Sequence, residues 1–324
     1  MPYCFANHLL HSLLAALSLQ HGVVVLLVFW MWRLQPSEAY KQYQWMPDVV
    51  HAGADCSDET SSLESLPRLD DRVPEATLEE RERFLKARKG NPDKAAHALL
   101  HYLDWRTTYE QQLPQQRSHQ SRSGDADHED WNWATQCAQV LKKEPVLRPL
   151  PRVIRMHTLH DGQPACDLQG RRMVHILPGL MDERLSALQT YALAVAIYLD
   201  RKLPRDSLEQ MTVLIDLRGG RGWRNLHAVQ LLSFIQSATL LLLALFPERL
   251  GRALLYPLPQ SCAWAWHVVR RCLDVVTRDK MVVLTGPATI VAPPPTQQLE
   301  WHVHPNVVAL LEQERRAEYV VVRS

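Results

Sequence analysis

The sequence lacks the cysteine spacing that zinc sites and compact disulfide frameworks require. Its six cysteines are widely separated, and no CxxC pair occurs among them. They are Cys4, Cys56, Cys137, Cys166, Cys262 and Cys272. We therefore predict neither a zinc site nor a disulfide scaffold. Reduced and mostly buried thiols are expected instead, as is usual for a cytosolic chain.

An excess of charge of one sign is also missing. Lysine and arginine together number 36 and aspartate and glutamate 35, so the formal net charge is +1. Domains that bind nucleic acid through bulk electrostatics usually carry an evident basic excess. No nucleic-acid partner is therefore expected.

The common catalytic motifs are absent as well. GxSxG, the P-loop, HExxH and GxGxxG do not occur in the chain,. Gly219, Gly220 and Gly222 follow an apolar run and resemble a phosphate-binding turn, but Trp223 and Arg224 come next and no Gly-Lys-Ser/Thr follows. We expect no enzymatic activity and no cofactor.

Histidine is abundant, with 15 residues, but most of them are scattered. His302 and His304 form an HxH pair. A second polar group, between His119 and Asp130, lies in a stretch rich in Ser, Gln, Arg and Asp that has no ordering apolar residues. Such stretches are usually solvated loops, so no metal site is predicted.

The first 35 residues form an apolar N-terminal segment that is a candidate membrane anchor. Leu9 to Trp32 is an apolar stretch of 24 residues, long enough to span a bilayer, although Gln-His-Gly at 20–22 lies near its middle. The first basic residues, Arg33 and Lys41, follow the stretch, so a span would leave the remaining chain in the cytosol. A buried or surface-lying apolar helix and a misassigned start of the chain are alternatives.

The next part of the chain predicts a linker and a small helical lobe. Residues 36–75 combine Pro, Asp, Ser and Glu with little periodicity, which is typical of a linker. Thr77 is placed to cap a helix with an acidic first turn, and a second helix is expected at about 94–109. The two helices define a lobe over 76–113, and residues 114–130 are predicted to be a disordered polar loop.

Beyond residue 130, short apolar runs alternate with helical segments. Strands are expected at 153–158, 172–177, 211–217, 252–256 and 281–284, and helices at 133–143, 182–200, 225–246, 262–276 and 306–316. This alternation predicts an α/β domain with a mainly parallel sheet. Three prolines at 293–295 are expected to end the domain, which gives a lobe over 131–292 and a C-terminal tail over 293–324.

Several motifs occur in an order that points to one family. Residues 83–89 read RFLKARK and precede a predicted helix that closes on Trp105-Arg106. A turn at Gly170-Arg171 and an apolar strand with Asp and Gly at 211–220 come next. The last two motifs are FPERLG at 246–251 and TRDKMVVLTG at 277–286. Over about residues 77–292 this order resembles the CRAL-TRIO family of lipid-binding proteins, in particular its phosphatidylinositol-transfer branch.

The resemblance implies a CRAL-TRIO fold. In that fold a small N-terminal helical lobe joins a mainly parallel sheet flanked by helices, and the two enclose an apolar lipid cavity behind a mobile gate helix. Burying acyl chains in such a cavity contributes about 0.8 kcal/mol per CH₂. Leu240–Leu243 and Tyr191–Tyr198 are candidates to line the cavity, with ordinary core as the alternative.

The resemblance also implies a set of headgroup-binding residues. The positions that match the family's inositol-phosphate contacts are Arg88, Lys89, Asp167, Glu248, Thr277 and Lys280. Cationic side chains would neutralise a phosphate, and carboxylates would accept hydrogen bonds from inositol hydroxyls. A purely structural role is the alternative for each, such as an ion pair near a helix end for Glu248.

Some positions depart from the family pattern. Arg172 stands where the family usually has proline, and Gly90 replaces an aromatic residue. Met211 and Val213 occupy places where choline-lipid binders carry hydroxyls, so phosphatidylcholine exchange is not predicted.

The expected function is binding and transfer of phosphatidylinositol or a related phospholipid by a cytoplasmic monomer that meets membrane surfaces. One alternative is a membrane-tethered lipid sensor or adaptor. The other is a carrier of a neutral ligand such as a tocopherol or retinoid.

Overall fold

The computed structural model describes residues 60–112, 126–144, 147–218, 228–258, 266, 275–286 and 296–321. The predicted membrane anchor, most of the predicted polar loop and most of the predicted helix at 262–276 lie outside these ranges. No helix within the described ranges is long and apolar enough to cross a bilayer.

The described helices and strands follow the predicted alternation. The helices are α1 (Thr60–Arg72), α2 (Leu78–Ala87), α3 (Pro92–Gln112), α4 (Ala126–Leu141), α5 (Leu188–Lys202), α6 (Ala228–Leu245), α7 (Val275–Lys280), α8 (Thr296–Leu299) and α9 (Pro305–Val321). The strands are β1 (Ile154–Arg155), β2 (Arg172–Ile176), β3 (Met211–Asp216), β4 (Leu250–Leu258) and β5 (Met281–Thr285).

The five strands form one sheet in the order β1-β2-β3-β4-β5. The first pair is antiparallel and the other three pairs are parallel. Each parallel step is separated by a segment that contains helix, as a crossover connection requires. The prediction of an α/β domain with a mainly parallel sheet is confirmed.

Apolar side chains project from both faces of this sheet. Along β2, Val174 points into the larger core, which includes residues of α1 to α6, while Met173 points into a second core. Val213 and Leu214 divide in the same way along β3. The near-continuous apolar pattern of β3 is therefore explained by burial on both sides, as is typical of a parallel sheet.

Helix α9 belongs to this domain and is not part of a separate tail. Val307, Val308 and Leu311 are buried in the second core together with Leu299 of α8. The second core thus includes residues beyond 292, where the prolines at 293–295 predicted the end of the lobe.

Two segments predicted to lack structure are partly helical. Helix α1 occupies the second part of the predicted linker, and its Leu69 is fully buried. Helix α4 begins within the predicted polar loop, because Asp127 and Asp130 pair with cations: Asp127 contacts Arg152 at 3.1 Å, and Asp130 contacts Arg201 at 2.7 Å. Composition alone does not show these partners, which lie far away in the sequence.

The helical lobe is joined to the sheet domain by buried charges. Thr77 and Glu80 form the predicted N-terminal cap of α2 as a reciprocal capping box,. The fully buried carboxylate of Glu80 also accepts two hydrogen bonds of 2.7 Å from Arg205, which follows α5. One side chain thus both starts a helix of the lobe and holds that helix against the sheet domain.

A second connection centres on Asp200, near the end of α5. Its carboxylate accepts hydrogen bonds from Tyr102 and Arg106 of α3, both at 2.7 Å, and from the Tyr109 hydroxyl. Burial and the negative charge of Asp200 raise the pKa values of Tyr102 and Tyr109, so both hydroxyls stay protonated donors. Asp200 is 5% exposed and accepts hydrogen bonds from three side chains of α3.

Replacing Asp200 by asparagine is expected to destabilise the protein by about 3 kcal/mol, because the Arg106 guanidinium loses its buried counter-charge. Urea denaturation of the full-length protein measures this loss. Asp104→Asn, on the exposed side of the same helix, is the matched control and should change stability by less than about 0.5 kcal/mol. Equal stability of Asp200→Asn and the wild type would contradict the assigned role.

Candidate functional site

Three of the residues that the family resemblance selects lie where parallel strands of the sheet begin. The parallel strands β2 to β5 all begin at one edge of the sheet. Asp167 precedes β2, Glu248 precedes β4, and Lys280 directly precedes β5. We call this region the amino edge.

Asp167 holds the turn that leads into β2. Its carboxylate accepts hydrogen bonds from Arg171 Nε at 2.8 Å, from Thr212 Oγ1 at 2.6 Å, and from the backbone N–H groups of Gln169 and Arg171 at 2.9 Å. Burial alone would raise the pKa of Asp167, but these hydrogen bonds outweigh it and hold the pKa below its ordinary value,. Both oxygens are thus engaged within the protein, and the contacts to Arg171 and Thr212 position the amino ends of β2 and β3.

The polar surface continues from Asp167 towards β4. Arg171 lies against Gly251, where an added Cβ would come within 2.6 Å of the arginine Cδ. Gln210 is beside the same glycine and donates from Nε2 to the backbone oxygen of Glu248 at 3.2 Å. Gly251 therefore permits a close approach that places Arg171, Gln210 and Glu248 side by side.

Glu248 connects the amino edge to the helical lobe. Its Oε2 atom lies 3.3 Å from Lys86 Nζ, at the end of α2. The Glu248 side chain is 28% exposed and that of Lys86 is 73% exposed, so water and ligands reach both. The next residue, Arg249, donates instead to the backbone oxygens of Glu209 and Pro204.

Arg88 and Lys89 follow directly after helix α2. Arg88 caps the helix through its N–H group and is half-buried, whereas Lys89 is exposed. Gly90 has a φ of 74°, and its N–H donates to the backbone oxygen of Leu85 at 3.0 Å. A glycine fits this left-handed cap because it has no Cβ, which explains why an aromatic residue is replaced here.

Lys280 reaches the same edge from the other side. It is the last residue of α7, and the next residue, Met281, pairs with Ala253 of β4. Lys280 is partly exposed. Thr277 lies on the same short helix, three residues earlier, and its side chain is outside the described part of the structure.

Lys86, Arg171 and Gln210 are amino-edge residues that the sequence prediction did not select. Lys86 is part of the RFLKARK segment, one helical turn before Lys89, so helix periodicity would have indicated it. Arg171 belongs to the recognised turn. Gln210 carries no local signal, because its place depends on the pairing of β3 with β4.

The opposite edge of the sheet contains a buried charge cluster. Asp216, at the end of β3, is fully buried and contacts Arg218 at 2.8 Å and Arg315 of α9 at 3.2 Å. Arg218 also contacts Glu312 at 2.7 Å, and Tyr256 donates to Asp216 at 3.2 Å. These charges are paired with one another, so we assign the cluster a structural role in holding α9 on the sheet.

Two histidines lie beside this cluster. His157 Nε2 is 3.4 Å from His175 Nδ1, and His175 Nε2 is 4.0 Å from Asp216. Burial, followed by the charges of Arg155, Arg218 and Arg315, lowers the pKa of His175 to about 3. Burial and His175 lower the pKa of His157 to about 2. Both rings are therefore neutral in the folded protein near neutral pH.

The two segments proposed to line a cavity differ in their surroundings. Tyr191–Tyr198 of α5 is fully buried in the larger core. In α6, Leu241 is buried, whereas Leu243 is 57% exposed. A separate cavity of about 390 Å³ lies between the turn at 159–161 and α9, lined in part by Ala309 and Leu310, and it contains none of the predicted headgroup residues.

The lowered pKa of His175 predicts a specific acid sensitivity. Below about pH 6.5, the unfolded state binds a proton at this residue that the folded state does not bind until about pH 3, so stability falls with pH by up to about 1.4 kcal/mol per unit,. In His175→Gln this contribution is absent, and the slope of unfolding free energy between pH 6 and 4 should be shallower.

Chemical denaturation at a series of pH values measures the slope. His160→Gln, an exposed histidine of the neighbouring turn, is the control for loss of an imidazole outside the core. An unchanged slope in His175→Gln would show that the buried ring does not couple folding to pH.

Comparison with known proteins identifies the sheet domain. Residues 158–305 match the family model described as CRAL/TRIO domain. Among curated proteins, no sequence matches the chain significantly. Among solved structures, the chain is similar to the crystal structure of Sfh5, with a TM-score of 0.45 and 14% identity, over 71% of this chain and 82% of that chain. By the family match, the chain contains a CRAL/TRIO domain over residues 158–305, and the predicted CRAL-TRIO fold is confirmed.

Proposed function

We propose that this protein binds one lipid molecule and transfers it between membranes, and that the lipid is phosphatidylinositol or a related inositol phospholipid. The observation that carries the proposal is the CRAL/TRIO match over residues 158–305, because the family is one of lipid carriers. In this proposal the lipid enters and leaves the protein unchanged, so no catalytic step is assigned.

The chemistry of the amino edge supports an inositol headgroup. A phosphodiester carries one negative charge, and Lys86 and Lys280 bring cationic groups to this edge, with Arg88 and Lys89 following Lys86 in the sequence. Glu248 is an acceptor for inositol hydroxyls, whereas the phosphocholine headgroup of phosphatidylcholine has no hydroxyl. A neutral tocopherol or retinoid has no charged group that could pair with these cations and this carboxylate.

Backbone strain at two of these residues also supports a binding role. Lys89 has a φ of 52° and Glu248 a φ of 61°, values that a non-glycine residue seldom adopts,. Such conformations cost roughly 1–3 kcal/mol and cluster at functional sites. In this proposal, the cost is tolerated because glycine, which removes the strain, would also remove the charged side chain.

This strain gives a test that separates binding from stability. Glu248→Gly removes the carboxylate and relaxes the backbone, so the protein should be at least as stable as the wild type. Transfer of phosphatidylinositol between vesicles should nevertheless fall about tenfold, since a charge-assisted hydrogen bond is lost. Lys280→Ala should weaken transfer to a similar degree.

The assay uses the full-length protein, donor vesicles with labelled phosphatidylinositol, and acceptor vesicles without it. Lys143→Gly is the matched control, because Lys143 also has a positive φ, of 55°, but caps α4 away from the amino edge. Unchanged phosphatidylinositol transfer by Glu248→Gly and Lys280→Ala would contradict the headgroup assignment. Tight retention of the lipid without exchange would favour a sensor or adaptor over a carrier.

A further inference from the structure

Two histidines on helix α3 face each other across one helical turn. His97 and His101 are separated by four residues, which places their side chains on the same side of the helix. Their Nε2 atoms are 3.3 Å apart, and their rings meet nearly edge to face, with centroids at 4.5 Å. His97 is exposed and His101 is partly exposed, so solvent reaches the pair.

The spacing of the two nitrogens fits a shared metal ion. Imidazole nitrogens bind zinc at about 2.0–2.1 Å. With both nitrogens at such a distance from one ion and 3.3 Å from each other, the angle at the ion is about 105°, close to the tetrahedral value. We propose that His97 and His101 form a surface site for a divalent transition metal, such as zinc, copper or nickel.

The surroundings keep the two ligands available. Both rings can offer a nitrogen to an ion from the solvent, because His97 is exposed and His101 is partly exposed. Asp104, one turn further along α3, also places negative charge near an incoming cation.

Helix α3 holds the pair in place from its other side. Ala98, Leu99 and Tyr102 are buried in the larger core. Tyr102 is fixed further by its 2.7 Å hydrogen bond to Asp200. The metal therefore meets two ligands on a backbone that is already ordered, which reduces the entropy lost on binding.

The site differs from a structural zinc site in its number of ligands. Within the described ranges, no group of three or more His, Cys, Asp or Glu side chains is arranged to hold a metal. Water then fills the remaining coordination positions, and the fold does not depend on the ion. Imidazole favours zinc, copper and nickel over magnesium and calcium. The site should therefore bind these transition metals in preference to magnesium or calcium.

Titration of the full-length protein with CuCl₂ tests the proposal, with binding followed by calorimetry and by the nitrogen hyperfine pattern in the copper EPR spectrum. We expect one copper site with two imidazole nitrogens. Since loss of an outer-shell partner already weakens metal binding 10–100-fold, loss of an imidazole ligand in His97→Gln or His101→Gln should weaken this site at least about tenfold. Acidification to pH 5 should release the ion because protons compete for the imidazoles.

His128→Gln is the matched control because His128 is also an exposed helical histidine, and its neighbour one turn on is Asn132 at 2.9 Å. The proposal is supported if this variant binds copper as the wild type does, while His97→Gln and His101→Gln both lose copper affinity. If His97→Gln and His101→Gln keep the wild-type affinity and spectrum, the two rings form only a hydrogen-bonded pair and the proposal fails. Circular dichroism of each variant verifies that α3 is intact.

Discussion

A parallel sheet has to be shielded from water on both faces, because its strands are joined by crossovers and its side chains are apolar on each side. In this protein the first face is covered by α5, α6 and the helical lobe. The second face is covered in part by α9, together with residues that precede it. The C-terminal helix is therefore part of the domain that positions Asp167, Glu248 and Lys280.

The charged side chains at the two ends of the parallel strands differ in how far they are accessible to solvent. At the carboxyl ends of the strands, Asp216 and its partners are paired with one another and bind α9 to the sheet. At the amino edge, Glu248 and Lys86 remain accessible to solvent. Open α/β sheets usually bind ligands outside the carboxyl ends of their strands. Our proposal assigns the headgroup to the amino edge because Glu248 and Lys86 are accessible there.

Much of the fold could be predicted from local patterns. The apolar run at 211–217 indicated a central strand, Thr77 indicated a helix cap, and the alternation beyond residue 130 indicated a parallel sheet. Helix α1 and the start of α4 were missed because their partners are distant: Asp127 pairs with Arg152, and Leu69 is buried in the shared core. The prolines at 293–295 could not show that α9, which follows them, packs in the second core, because prolines mark only an interruption of secondary structure.

The candidate site could be predicted only in part. Its members came from a family resemblance, and the topology brings Asp167, Glu248 and Lys280 to one edge of the sheet. Sequence could not show that the Asp167 carboxylate is occupied by Arg171 and Thr212. Nor could it show that Gln210 lies beside Glu248, since that contact depends on strand register.

Native mass spectrometry of the full-length protein, purified without detergent, tests the central claim most directly. We expect a complex with one bound lipid, which dissociation and fragmentation identify as an inositol phospholipid. A bound tocopherol, retinoid or phosphatidylcholine would contradict the headgroup assignment. A protein that carries no lipid, and takes none up from vesicles containing phosphatidylinositol, would contradict the proposed function itself.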